Sequence, residues 1–282
     1  MIIKDYRISL AIVFSLIIIS ILLITFKGIP KSIDITGGTE ITIKVSNNIN
    51  ILELKNMLNG IAEVQELESA NGYYIVIRCP IDKVSIVKEK IKEFFKVDSL
   101  SKLEYSEKTV GPTLSKKFFE EGFKALAFAF IFMAAVVYFY FRDPYPSGAI
   151  ILSALTDVIL TLGGMSLFNI QLSTATIAAL LMIIGYSVDS DILLTTKVLR
   201  RLSINFDESV KEAFKTGITM TGTTIVAMLT LLIVVKLFIP IANILANIAE
   251  VLVIALIADI ISTWMLNAGL LKLYLEKIKK VS

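Results

Sequence analysis

The 282-residue sequence contains no histidine, one cysteine and one tryptophan. The missing histidine excludes His-based zinc sites and His-dependent catalytic triads. Cys79 has no second cysteine with which to form an intramolecular disulfide. Any proton carrier in this protein must therefore be a carboxyl group or water. We expect no metal, no cofactor and no catalytic residue.

The chain is too apolar for a soluble protein. Hydrophobic residues make up 55% of the sequence, and the mean hydropathy is +0.77. Several apolar runs have the roughly 20 residues needed to cross a hydrocarbon core about 30 Å thick. These runs cover approximately residues 8–26, 122–141, 147–168, 172–195, 216–236 and 243–271. No small-residue cleavage site follows the first run, so we interpret it as a retained anchor.

The distribution of Lys and Arg indicates how the spans are oriented. If six spans alternate, most basic residues outside the segment 27–121 fall on one side of the membrane. They are Lys4, Arg7, Arg142, Lys197, Arg200, Arg201, Lys211, Lys215, Lys272, Lys277, Lys279 and Lys280. This side is predicted to be cytoplasmic, so both termini are expected there, in a multi-pass protein of the cell membrane.

The segment between the first two runs has the periodicity of a soluble domain. Residues 39–45 and 73–79 are rich in β-branched and aromatic residues, and Asn71-Gly72 predicts a hairpin turn before the second of these strands. Residues 50–60 and 82–95 repeat apolar residues at helical spacing. The order β-α-β-β-α-β is typical of a ferredoxin-like fold.

We therefore predict an α-helical polytopic membrane protein with six transmembrane helices and a ferredoxin-like α+β extracytoplasmic domain between helices 1 and 2. Residues 1–26 form a cytoplasmic stub and the first helix, and residues 27–121 form the outer domain with a juxtamembrane helix that starts after Pro112. Residues 122–271 form a five-helix bundle, and residues 272–282 form a basic tail.

Acidic residues inside the apolar runs are the main functional signal. A carboxylate at the centre of a span costs about 2.5–3.5 kcal/mol on insertion scales, so several of them imply an interior polar path, protonation or pairing. The predicted proton path consists of Asp157, Asp189, Asp191 and Asp259.

Asp189 is the first choice among these acids. It lies deeper than Asp191 and follows Gly185 at a spacing of four, where a small residue lets a neighbouring helix approach. Asp191 has an alternative role, because its position near Lys197 would let it reach interfacial water. For Asp157, the alternative is a structural carboxyl that bonds Ser or Thr on another helix.

The fifth run supplies a candidate partner surface for the acids. Thr216, Thr219 and Thr223 recur at helical spacing after Lys215. Their hydroxyls could hydrogen-bond a carboxyl, and we predict that this polar helix faces the acids. Plain helix packing by Thr and Gly is the alternative.

Several motifs resemble the SecF family of protein-export membrane subunits, and they occur in the family's order along nearly the whole chain. They are "DITGGTEITI", "VGPTLSKKFFEEGFKAL", "LTDVILTLGG", "IAALLMIIGYSVDSDILLTTKVLRR" and "TGITMTGTTIVAMLTLLIV". The motif positions that we single out are Asp34, Gly37, Gly38, Gly111, Pro112, Gly185, Tyr186 and Ser187. Gly37-Gly38 fits either a tight turn or a close backbone contact with another element.

The resemblance implies the six-helix unit of the resistance-nodulation-division superfamily. Members of this family pair with SecD, act beside the SecY translocation channel and are thought to use the proton gradient to help complete preprotein export. The expected partners are thus SecD, SecY, a translocating preprotein and membrane lipid, but no nucleic acid. Asp189 stands where the bacterial motif has Asn, and Lys215 stands where bacteria usually have Arg, which indicates an archaeal-type member.

Three other functions stay open at this point. The chain could be one half of a proton-linked small-molecule or lipid transporter of the same superfamily. It could be an intramembrane aspartyl protease, although "GYSVD" lacks the G-x-G-D element of those enzymes. It could also be an assembly factor whose acids only hold helices together. We favour an accessory export subunit that is not an enzyme.

Overall fold

The computed structural model describes residues 6–45, 49–69, 72–200, 206–239 and 242–278. Five residues used in the sequence-based predictions lie outside this part of the chain. They are Lys4, Asn71, Arg201, Lys279 and Lys280.

An α+β domain follows the first spanning helix. The elements up to the end of this domain are α1 (Tyr6–Phe26), α2 (Ile33–Thr36), β1 (Gly38–Val45), α3 (Ile51–Met57), β2 (Glu63–Ser69), β3 (Gly72–Cys79), α4 (Val84–Phe95) and β4 (Tyr105–Val110), with short 3-10 turns at Ile81–Lys83 and Leu100–Lys102. The strands form one antiparallel sheet in the order β2-β3-β1-β4. This arrangement confirms the predicted ferredoxin-like domain.

The sheet has one apolar and one polar face because apolar residues alternate along β1 and β3. Ile41 pairs with Ile77 and Ile43 pairs with Ile75, and all four side chains are fully buried. Helices α3 and α4 cover this face and add Leu54, Leu58, Val87 and Ile91 to the core. The opposite face carries polar side chains and borders a cleft of about 400 Å³ between the domain and the membrane helices.

The remaining chain forms the rest of the membrane bundle. Its elements are α5 (Pro112–Phe141), α6 (Pro144–Phe168), α7 (Thr174–Arg200), α8 (Phe206–Phe238), α9 (Asn243–Ile261), a π-helical turn (Ser262–Asn267), α10 (Ala268–Leu273) and a second π-helical segment (Tyr274–Ile278). The last four are continuous and act as one span. Together with α1, the described residues contain six helices long and apolar enough to cross a membrane. The six predicted spans are thereby confirmed.

Helix α5 differs from its prediction. It runs for 30 residues from Pro112, so the predicted juxtamembrane helix and the second span form one continuous helix. Proline is favourable in the first turn, and no proline follows it within the helix to break it. The predicted domain boundary between residues 121 and 122 therefore lies inside α5.

Three spans form the centre of the bundle and three lie at its edge. In the apolar stretches of α6, α7 and the last span, 50%, 56% and 44% of the residues are buried. In those of α1, α5 and α8, only 17%, 6% and 11% are buried. The central helices are therefore the ones that can enclose polar side chains away from lipid.

Backbone hydrogen bonds fix the domain onto one end of the bundle, which we call the domain end. The Leu172 amide in the α6–α7 loop donates to the Pro30 carbonyl at 2.7 Å, and the Ser32 amide donates to the Leu172 carbonyl at 2.9 Å. The Ser166 hydroxyl of α6 also donates to the Gly28 carbonyl at 2.6 Å. The linker after α1 is thus paired with the loop that leads into α7.

Candidate functional site

Three aspartates from three different helices meet inside the bundle. Asp157 lies on α6, Asp191 on α7 and Asp259 on α9, and their side chains are at most 1% exposed. We call these three residues the acid cluster. It contains three of the four acids that the sequence predicted for a proton path.

Serine hydroxyls from two neighbouring helices bond Asp157. The Ser187 hydroxyl of α7 donates to Oδ2 of Asp157, and the Ser262 hydroxyl of the π-helical turn donates to Oδ1. Ser262 also donates to the Asp259 carbonyl at 3.2 Å. Asp157 thus joins α6, α7 and the last span through its two carboxyl oxygens.

Asp259 is bonded by hydroxyls on both sides. The Thr263 hydroxyl donates to Oδ1 of Asp259 at 3.1 Å, and the Ser190 hydroxyl of α7 donates to Oδ2 at 3.4 Å. Thr221 of α8 is buried beside the same carboxyl. The hydrogen-bond donors of Asp259 are therefore hydroxyl groups rather than cations.

Asp191 has partners on one of its oxygens. The Asn267 amide Nδ2 donates to Oδ1 of Asp191 at 2.8 Å, and the Ser153 hydroxyl donates to the same oxygen at 3.2 Å. Oδ2 of Asp191 and Oδ1 of Asn267 have no hydrogen-bond partner among the residues that the structure describes.

No Lys or Arg among the described residues forms an ion pair with the acid cluster. An isolated ionised carboxylate is very costly in an apolar interior, so a buried group of carboxyls must be neutralised by cations or by protons. With hydroxyls and one amide as its neighbours, the cluster can bind and release protons, and each change redistributes the hydrogen bonds that join three helices.

Apolar layers close the cluster off from both ends of the bundle. Toward the domain end, one layer contains Met165, Leu180, Val251 and Leu252, and the next contains Ile183, Ala255 and Leu256. Toward the other end, a layer contains Leu194, Val198, Trp264 and Leu271. In the described conformation the acids are thus enclosed between apolar layers, and we call this conformation occluded.

Asp189, the first choice in the sequence analysis, lies outside the cluster. It is exposed on α7, together with Gly185 and Tyr186. The space around a Cβ on Gly185 is open, so the expected close approach of another helix there is wrong within this chain. The alternative of interfacial water for Asp191 is also wrong, because Asp191 is fully buried. Residues two apart on a helix point in directions about 200° apart. This explains why Asp191 is buried in the cluster and Asp189 is not.

The predicted threonine stripe also faces away from the acids. Lys215, Thr216, Thr219 and Thr223 are exposed, and the three threonine hydroxyls donate to backbone carbonyls of α8 itself. The expectation that they face the acids is wrong. The buried face of α8 carries Gly217 and Thr221 instead: a Cβ on Gly217 would lie 2.5 Å from the Trp264 ring, and only glycine allows this approach.

Most hydrogen-bond partners of the acids were not predicted, although the sequence contains a signal for them. Ser153 precedes Asp157 by four residues, and Asp259, Thr263 and Asn267 follow one another at intervals of four. Polar residues at this spacing lie on one face of a helix. A search for polar residues in steps of four from each membrane acid would have identified Ser153, Thr263 and Asn267.

The other motif positions build the joint between domain and bundle. Asp34 accepts a hydrogen bond from Lys108 Nζ at 2.7 Å and another from the Thr174 hydroxyl, at the start of α7, at 3.0 Å.

Gly37 and Gly38 have positive φ angles, and a Cβ on Gly38 would lie 2.8 Å from the Cys79 carbonyl oxygen. Both interpretations of the glycine pair therefore hold. Gly111 caps α5, and Pro112 lies in its first turn.

Sequence comparison identifies proteins that are similar to this chain. Residues 89–277 match the family model described as "Protein export membrane protein SecD/SecF, C-terminal", and residues 22–49 match "SecD/SecF GG Motif". The chain is 73% identical to the "Protein-export membrane protein SecF" of Methanocaldococcus jannaschii, with 98% of each chain covered. It is 40% identical to the protein of the same description from Methanothermobacter thermautotrophicus, with 98% of this chain and 94% of that one covered.

Solved structures share the fold. The crystal structure of SecDF, a translocon-associated membrane protein from Thermus, matches 96% of this chain with a TM-score of 0.77 and 22% identity. A SecDF crystal structure in a super-membrane-facing form matches 98% with a TM-score of 0.60 and 22% identity. The chain spans only 38% of either SecDF chain.

Proposed function

This chain belongs to the SecD/SecF family of protein-export membrane proteins, and from this premise we propose that it is a proton-driven accessory subunit of the Sec machinery. It assists the export of preproteins across the cell membrane, together with a SecD partner and beside the SecY channel. The family supports the export function, and the acid cluster supports the use of the proton gradient.

The observation that carries the proton step is the burial of three carboxyls from three helices without a cation. One proton that crosses the membrane yields about 2.3 kcal/mol per 100 mV of membrane potential. Two conformations of a protein commonly differ by a few kcal/mol, so this energy is enough to bias them. Protonation of the cluster acts directly on α6, α7 and the last span, because the hydrogen bonds of the acids connect these helices.

The proposed orientation places the α+β domain outside the cell and both termini in the cytoplasm. In this position the domain meets the preprotein as it emerges. The exposed polar residues of α7 and α8, which include Asp189, Lys215 and Thr219, face the SecD half, and the apolar surface elsewhere faces lipid. Asp189 joins the proton path in the assembled pair.

The proposal is tested by a pulse-chase of a secreted reporter in cells depleted of this protein. The cells are complemented with the wild type, Asp157→Asn or Asp98→Asn at matched membrane levels. Asp157→Asn should slow export about as much as depletion, because an amide of the same size cannot carry the proton. Asp98, with a side chain 96% exposed in the domain, is the matched control and should export normally. A normal rate for Asp157→Asn would exclude the proton step, and an absence of any effect of depletion would exclude the export function.

A second arm separates proton coupling from packing. The same strains are assayed after the proton gradient is collapsed with an ionophore. If the acids carry protons, the wild type and Asp157→Asn should then export at the same rate. A difference that persists without a gradient would mean that Asp157 only holds the helices together.

A further inference from the structure

The last span presents its polar side chains to the acid cluster from a π-helical turn. Ser262, Thr263 and Asn267 lie in this turn, and each bonds a different acid of the cluster. In an α-helix, residues five apart point about 140° away from each other. In a π-helix the backbone hydrogen bonds join residues five apart, so Ser262 and Asn267 lie nearly one above the other. The π turn is what lets one helix reach both Asp157 and Asp191.

Asp191 and Asn267 leave two acceptor atoms without partners. Both residues are fully buried, and the only hydrogen bond between them runs from Asn267 Nδ2 to Asp191 Oδ1. Asp191 Oδ2 and Asn267 Oδ1 are unpaired within the described part of the chain. A buried acceptor without a hydrogen-bond partner is unfavourable. A carboxylate oxygen and an amide oxygen can only accept hydrogen bonds. If Asp191 is ionised, neither of the two unpaired oxygens can therefore donate to the other.

We propose that Asp191 holds a proton on Oδ2 in this conformation and donates it to Oδ1 of Asn267. The two side chains then form a cyclic acid–amide pair with two hydrogen bonds. Asn267 is the positioning residue of this pair, and one proton satisfies both unpaired atoms. The inference rests on the proposed proton function of the acid cluster and names the carboxyl that is loaded in the occluded state.

The surroundings of Asp191 agree with this assignment. Oδ1 already accepts hydrogen bonds from Ser153 and Asn267, which leaves Oδ2 for the proton. The titratable groups that face Asp191 are Asp157 of α6 and Asp259 of α9, and neither compensates a negative charge. Thr263 lies near both Asp191 and Asp259, so its hydroxyl provides a route between them.

The pair also couples the proton to the backbone. When the proton leaves, Asp191 Oδ2 and Asn267 Oδ1 are both acceptors. The second hydrogen bond of the pair, to Asn267 Oδ1, is then lost. The π turn then loses one of the contacts that keep it against α7. Loss of the proton therefore favours a movement of the last span relative to α7, which opens the occluded state.

Infrared difference spectroscopy of the full chain with its SecD partner in lipid tests the assignment. A protonated carboxyl has a C=O stretch well separated from that of a carboxylate. Asp191→Asn should remove one protonated-carboxyl band from the spectrum of the wild type. Asn267→Leu should keep this band but shift it to higher frequency, because the carboxyl loses its hydrogen-bonded partner. Asn267→Ser, which adds no bulk, should cause the same shift if the leucine variant fails to fold. Asp98→Asn should change no band.

Two outcomes would overturn the inference. One is that every protonated-carboxyl band survives in Asp191→Asn, and the other is that the band keeps its frequency in both Asn267 variants. The failure of the proposed function is distinct, because it is read from the export rate of Asp157→Asn. Slow export by that variant with unchanged Asn267 spectra would preserve the proton step and exclude only the Asp191–Asn267 pair.

Discussion

Asp189 and Asp191 differ in sequence position by only two residues, yet one is exposed and the other has no exposed surface. The difference comes from helix geometry, because two steps of about 100° turn a side chain to the opposite face. Burial then decides the chemistry that is open to each group. The buried acid meets an amide and a hydroxyl, whereas the exposed one depends on what packs against α7 from outside the chain.

Gly38 gives a prediction at the scale of one residue. Its φ angle is +136°, and an added Cβ would lie 2.8 Å from the Cys79 carbonyl oxygen, so Gly38→Ala forces the backbone of β1 away from β3. We expect a loss of about 1–3 kcal/mol in domain stability. For a domain of this size, each kcal/mol lowers the melting temperature by about 4–8 °C.

The loss of domain stability can be measured by labelling Cys79, without introducing another cysteine. It is the only thiol in the chain and is buried, and burial raises the pKa of its thiol, so it reacts slowly with maleimide in the folded domain. Gly38→Ala should lower the temperature at which Cys79 in the full-length protein becomes labelled. Gly60→Ala is the control: Gly60 also has a positive φ but has open space around it, so the shift should be smaller. Equal shifts would show that the contact with Cys79 adds no strain.

At the scale of helices and strands, local patterns predicted the fold. The alternation in "TEITIKV" and the apolar runs of about 20 residues are properties of single elements, so they identified the sheet of the domain and the six spans. The inward face of each helix depends on its neighbours. Thr216, Thr219 and Thr223 formed a convincing stripe, but Gly217 and Thr221 form another on the same helix, and the packing of Trp264 against Gly217 selects the second.

The π-helical turn could not be predicted in the same way. Residues 262–267, "STWMLN", contain no proline or glycine to interrupt the helix. The turn places Ser262 and Asn267 against two acids on different helices, so those tertiary hydrogen bonds favour it rather than any local preference. Asn267 was therefore missed, although its spacing of eight from Asp259 was visible in the sequence.

The exposed stripe of α8 gives a prediction at this scale. If the SecD partner packs there, a thiol-reactive benzophenone on Thr219→Cys, in a Cys79→Ser background, should cross-link this chain to its partner on illumination. Thr221→Cys is the matched control, because Thr221 is buried against Asp259 and should react poorly. The cross-linked product is measured by immunoblotting of membranes. A partner adduct from position 221 but none from 219 would place the partner on another face.

For the whole molecule, the relation between the domain and the acid cluster matters most. The polar cleft between the domain and the membrane helices is bordered by three ion pairs: Arg78–Glu40 at 2.7 Å, Lys108–Asp34 at 2.7 Å and Lys236–Glu250 at 2.5 Å. Asp34 bonds both parts through its side chain, since Lys108 belongs to β4 and Thr174 begins α7. Helix α7 also carries Asp191, Ser187 and Ser190, so a shift of α7 on protonation reaches the domain through Asp34.

Asp34→Asn tests this connection. The amide keeps the size of the side chain but removes the charge that holds Lys108, which costs about 1–3 kcal/mol at a site only 6% exposed. We expect faster hydrogen exchange in residues 29–36 and in the first turn of α7, together with slower export of the reporter. Asp98→Asn removes an exposed ion pair with Lys102, which contributes little, and should change neither. If hydrogen exchange becomes faster in Asp34→Asn while export stays normal, the Asp34 contact only supports the domain. If hydrogen exchange and export both change, the domain must stay attached to α7 for the proton step to act on a preprotein.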